Sequence, residues 1–187
     1  MATDDLFAQE CEAAAPIDRA EVERRVIAAL DRLIQQDRFL LEADLHERTI
    51  THKLAEHLQA QFSDWDVDCE YNRDIMIKKM LSLPALSSAD QEKTVSVYPD
   101  IIVHHRKSDE NLLILEIKKY KEHRTKDDRK RIAFDKRKLA GYTGDHYHYQ
   151  YGLFLELTTG QNIPAGAPFY KCEWWVQGDT EATSTPD

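Results

Sequence analysis

Residues 95–118 read VSVYPDIIVHHRKSDENLLILEIK, and the fold turns on how this stretch is parsed. Two short apolar runs, 95–103 and 112–117, are rich in Val, Ile and Leu and flank the polar turn 106–110. Their length, composition and bounding loops predict β-strands over 95–104 and 111–118. Asp100 follows Pro99 inside the first run, and Glu116 and Lys118 end the second. Charges at the ends of buried strands are costly unless something pairs with them. Side chains alternate along a strand, so Glu116 and Lys118 share one face, about 6–7 Å apart along the chain. With Asp100 at the end of a neighbouring strand, two carboxylates and an amine would form a small acidic pocket. Hard cations such as Mg²⁺ take oxygen ligands, often one or two carboxylates plus water and a phosphate. The same charges could instead form an ion-pair cluster closing the sheet.

Outward from this stretch, Asp18 with Glu21 three residues on marks a helix start. Val22, Val26, Leu30 and Leu33 recur at helical spacing and predict a helix over 19–36. A second helix is expected over 44–62, with Ile50, Leu54 and Leu58 as its apolar stripe. Residues 65–73 alternate apolar and polar and predict a half-buried strand. Glu70 and Asn72 share one face of it, exposed to solvent or lining a cleft. Residues 74–93 read as a loop with one short helix near 75–81. A helix over 128–140, ended by Gly141, follows the central strands. Strands are expected over 150–157 and 169–176. Residues 1–17 and the tail 178–187 read as disordered, leaving one domain over 18–177. The order α-α-β-β-β-α-β-β predicts a three-strand meander and a helical crossover to a parallel strand. The fold class is therefore α/β, with helices covering a central mixed sheet in a three-layer α/β/α arrangement.

Glu47 adds a further carboxylate. At about 100° per residue it falls within the stripe of Ile50, Leu54 and Leu58. A carboxylate aimed at the core needs a partner or a metal, although Asp44-x-x-Glu47 also reads as a capping pair. His52 falls on the flank of the helix, as a surface or boundary residue. Trp174-Trp175 suits edge packing, and the tyrosines from Tyr142 to Tyr151 suit either base stacking or the core.

Net charge is −9 over 187 residues, which argues against a general nucleic-acid binder. The average hides an asymmetry: residues 118–138 hold eleven Lys/Arg against four Asp/Glu, or +7, leaving −16 elsewhere. Such a stretch is a solvated helix face or a polyanion-binding one. Its candidates for phosphate contact are Lys119, Lys121, Arg129, Lys130, Arg131, Lys136, Arg137 and Lys138. No apolar run approaches the length that spans a membrane, and the acidic N-terminus lacks a signal-peptide pattern. The three cysteines, Cys11, Cys69 and Cys172, have no metal-ligand spacing, so a reducing cytoplasm is expected. No Gly-rich phosphate loop or nucleophile elbow is present in the sequence.

A helix with an acidic residue, then Pro-Asp ahead of Glu-x-Lys at strand ends, then a basic helix resembles the PD-(D/E)XK nuclease superfamily. Residues 66–73 ahead of Tyr98-Pro-Asp-Ile-Ile-Val103 look like small stand-alone bacterial members, and the resemblance covers about residues 40–158. It implies a restriction-endonuclease-like fold and hydrolysis of nucleic-acid phosphodiesters, DNA before RNA, by a metal-activated water. By the same resemblance Asp100 and Glu116 are metal ligands, Lys118 positions the water, and Glu47 is an accessory helix carboxylate. The implied cofactor is Mg²⁺, with Mn²⁺ as a substitute, and double-strand cleavage would imply a homodimer. Members of the recombination-exonuclease branch carry Gln and Tyr on the following helix, where this chain has Lys138 and Tyr142. The alternative expectation is a catalytically silent module of that fold, binding nucleic acid or a protein partner.

Overall fold

The computed structural model describes residues 17–70, 98–144, 147–160 and 168–180. The first helix, α1 (Arg19–Gln36), starts where the Asp18 side chain accepts the Glu21 N–H at 2.8 Å. Val22, Val26, Ala29, Leu30 and Leu33 form its buried stripe, as the periodicity predicts. A short helix, α2 (Arg38–Glu42), follows, which five residues without a repeat could not announce. The next helix, α3 (Glu47–Gln61), begins three residues later than expected. Its cap is His46, whose ring accepts the Arg48 N–H. Asp44 does not cap it. Its φ of 52° is left-handed, and its carboxylate instead holds Lys119 Nζ at 2.5 Å and the Thr159 hydroxyl at 2.6 Å.

Six strands form one mixed sheet in chain order: β1 (Asp66–Cys69), β2 (Ile101–His104), β3 (Asn111–Lys119), β4 (Tyr151–Leu157), β5 (Tyr170–Val176) and β6 (Asp179–Thr180). The first three form the expected antiparallel meander, with an irregular register at Val103/His104. The helix α4 (Lys126–Thr143) then crosses over to β4, which lies parallel to β3. It starts at a capping box between Thr125 and Asp128 and runs through Gly141 to Gly144, beyond the predicted end. The return β5–β6 turns on Gln177 and Gly178, both at positive φ, the geometry of a tight two-residue hairpin. Residues 178–180 are thus ordered in the sheet, against the expectation of a disordered tail from 178. The expected loop and short helix over 74–93 and the segment 1–16 lie outside the described residues.

Helices cover both faces, giving three layers. Leu113, Leu115 and Ile117 of β3 and Leu153, Leu155 and Leu157 of β4 join α1 and α3 in the larger core. Ile114 and Phe154 face the opposite way, with Leu139 and Tyr142 of α4. Burial on both faces explains why β3 and β4 read as continuous apolar runs. Trp174 and Trp175 are buried on opposite faces, so they are core residues rather than edge packing. Tyr142 and Tyr149 are buried with them. No helix among the described residues is long and apolar enough to cross a membrane.

Candidate active site

The sheet itself places the carboxylates. Pairing of β2 with β3 begins at Ile101 opposite Leu115, so the N–H groups on the β2 side of β3 beyond that point lose their strand partner, while the other side stays paired with β4. Asp100, one residue before β2, fills the gap: its Oδ2 accepts the Ile117 N–H at 2.7 Å. Two residues on, Glu47 Oε2 accepts the Lys119 N–H at 3.3 Å from the first turn of α3. A buried backbone donor without an acceptor is costly, so both carboxylates are held by the backbone they complete. Glu47 therefore serves the end of β3 and is no partner to Asp44 in a cap.

Strand alternation puts Glu116 and Lys118 on one face, as parity predicts, and in the structure that face is the α4 side. Glu116 is 1% exposed. Lys138 of α4 brings Nζ to 2.7 Å from Glu116 Oε1 and 3.1 Å from Asp135 Oδ1. Lys118 Nζ donates to the Ile117 carbonyl at 2.9 Å and lies 3.4 Å from Asp135, 3.5 Å from Glu47 and 4.0 Å from Asp100. Four carboxylates and two ammonium groups thus share one end of β3, and fully ionised they sum to −2.

Burial raises the carboxyl of Asp100 above its usual range, and Lys118 and the Ile117 N–H only partly offset it. Burial pushes Glu116 well above the carboxylate range despite Lys138. For Lys118, burial disfavours the charge, but Asp135, Asp100 and Glu47 together outweigh it and hold the amine above its ordinary value. Lys138 is raised in the same way, by Glu116 and Asp135 against burial.

A cleft of about 590 Å³ opens beside these groups. Glu47 and Asp100 face it, with His46, Arg48, Cys69 and Tyr98 among its other walls. Arg48 pairs with Glu70 at 2.9 Å, and both line the cleft. Glu70 is thus a cleft residue, while Asn72 lies outside the described residues. His52 lies on the cleft rim and pairs with Glu56. Glu116 is not part of the cleft wall; it sits behind Asp100, toward α4.

Among the described residues no three His, Cys, Asp or Glu side chains stand close enough to form a ready cation cage. The donors present still suit a hard divalent ion, because Mg²⁺ commonly uses one or two carboxylates and completes its shell with water and phosphate. Carboxylate oxygens fit such an ion, and Asp100 and Glu116 would hold it, with Glu47 beside them on the cleft wall.

The basic residues divide. Arg129, Lys130, Arg131 and Arg137 of α4 are exposed, as a phosphate-contacting face requires. Lys138 departs from that expectation: at 5% exposure it points inward to Glu116. Lys119 is tied to Asp44 and to the carbonyls of Asp44 and Leu45. Lys136 pairs with Glu173 of β5, and Lys121 with Asp128. Asp135 escaped the sequence reading, although a signal existed. At about 100° per residue, Asp135, Lys138, Leu139 and Tyr142 fall within one sector of about 100° on α4. Two charges on an apolar stripe call for partners.

No protein-family model, curated protein or solved structure matches the chain.

Proposed function

We propose that the protein is a metal-dependent nuclease with a restriction-endonuclease-like fold, acting on DNA. The observation that supports this reading is the charge cluster at the end of β3. Asp100 stands one residue before β2 and Glu116 on the adjacent β3, Lys118 stands between carboxylates, and with every group ionised the surplus charge is −2. A structural ion-pair cluster would be expected to approach neutrality. A bound divalent ion supplies an activated water and stabilises charge developing on a phosphodiester. Asp100 and Glu116 hold it and Glu47 supports it from the cleft. Lys118, kept cationic by its neighbours, orients the attacking water and offsets phosphate charge. Arg129, Lys130, Arg131 and Arg137 contact backbone phosphates, which carry no sequence information. Cutting both strands of a duplex would call for two such sites and hence a homodimer. Cys69 and Cys172 are unbridged, in keeping with a reducing cytoplasm.

The test is cleavage of single- and double-stranded DNA and RNA with Mg²⁺ or Mn²⁺. Asp100→Asn, Glu116→Gln and Lys118→Ala should each abolish turnover, and activity unchanged in Glu116→Gln or Lys118→Ala sinks the mechanism. The second reading, a silent module of the same fold, is favoured by the close contact of Lys138 with Glu116. A melting temperature unmoved by Mg²⁺, together with tight nucleic-acid or protein binding, would decide for it.

A further inference from the structure

We propose that the ammonium of Lys138, braced by Asp135, is a built-in cation standing where a second divalent ion would have to sit, so that the site takes a single metal ion. The inference rests on the metal-dependent reading above and adds its stoichiometry.

Two carboxylates from different elements, Glu116 of β3 and Asp135 of α4, converge on one point inside the protein. Lys138 Nζ occupies that point, 2.7 Å from Glu116 Oε1 and 3.1 Å from Asp135 Oδ1. Both carboxylates and the lysine are buried. In the absence of an ammonium group, paired hard oxygens of this kind are what a divalent ion selects. A lysine free to move would carry its charge out to water along its flexible stem. Lys138 does not, because its position on the inward stripe of α4 directs it between the two acids.

Asp135 is fully committed. Its Oδ1 faces Lys138 and its Oδ2 faces Lys118 at 3.4 Å. The two ammonium groups are therefore linked through one carboxylate. Asp100 and Glu47, on the cleft side, are left with Glu116 to serve one ion.

The test is Mn²⁺ binding to the full chain without nucleic acid, counted by titration calorimetry and electron paramagnetic resonance. The wild-type chain should bind one ion. Lys138→Arg, which keeps the charge, should also bind one, and Lys138→Met should bind two. Two ions in the wild type, or one in a folded Lys138→Met, would overturn the inference and leave the nuclease reading standing. No ion in the wild type would overturn both. Lys138→Met leaves Glu116 buried without its partner, so its fold is followed by circular dichroism. If it unfolds without metal, refolding with two ions bound supports the inference, and failure to refold at saturating Mn²⁺ overturns it.

Discussion

Asp100 Oδ2 accepts the Ile117 N–H at 2.7 Å, just where β2 ceases to pair with β3. One carboxylate therefore finishes a sheet edge and faces the cleft. Asparagine retains an oxygen for the Ile117 N–H, so Asp100→Asn should change stability by no more than about 1 kcal/mol. Asp100→Ala leaves that donor without its acceptor and should cost about 1–3 kcal/mol. Under the proposed function both should lower cleavage by about 100-fold or more. Urea melts beside a cleavage assay separate the two roles. Equal stability of the Asn and Ala variants would show that the hydrogen bond contributes nothing.

Glu116 and Lys138 form the most buried ion pair of the site. Removing one partner strands the other charge, so Lys138→Met should destabilise the metal-free protein by about 3–5 kcal/mol. Replacing both, as Glu116→Met with Lys138→Met, should recover most of that loss, because an apolar pair carries no desolvation penalty. Chemical denaturation in EDTA of the single and double variants gives the coupling directly. A double variant no better than the single would refute the pairing.

Stability against pH follows from the raised carboxyl of Glu116. Its folded pKa lies above the ordinary value of 4.5, so between the two values the folded state binds more protons than the unfolded one. Stability then falls as pH rises through that window. Below pH 4.5 the penalty is absent; above the folded value it is complete. Glu21 is held down at about 2 by Arg24 and Arg25, and its contribution runs the opposite way, lost as pH falls. The difference between wild type and Glu116→Gln reads the Glu116 contribution together with the response of its partner Lys138. In EDTA that difference should rise in favour of the variant from pH 4.5 upward, and a flat difference would contradict the raised value.

The exposed arginines of α4 should act additively on nucleic-acid binding. Removing one side chain that neutralises a phosphate lowers the log–log salt slope by about 0.9. Arg129, Arg131 and Arg137 changed together to Ala should thus reduce it by about 2–3. Lys119→Met should leave the slope in place and lower the melting temperature, because Lys119 is held by Asp44 and two carbonyls. Fluorescence anisotropy across a salt series reads the slopes, and a thermal melt reads the stability. A slope unchanged in the triple variant would move the binding surface away from α4.

Much of the fold is legible in the chain because it rests on local signals. The cap at Asp18 and the spacing of Val22, Val26, Leu30 and Leu33 define α1, and two apolar runs around a polar turn define β2 and β3. Parity alone places Glu116 and Lys118 on one face. What escaped is set at a distance. Asp44 reads as a cap by spacing, but its backbone is left-handed and Thr159 and Lys119, far along the chain, hold its carboxylate. The inward turn of Lys138 was hidden in a run of eleven Lys/Arg, where charge density suggested a solvated face. Helical angles separate it from Arg137 beside it, which is exposed.

The edge of β3 can also act as a reporter. Ile117 and Lys119 donate their amide protons to the carboxylates that face the cleft. A cation drawing those oxygens toward itself would loosen both protons. Their hydrogen-exchange rates would then report occupancy of the site from the backbone, with no substrate present and no reaction under way.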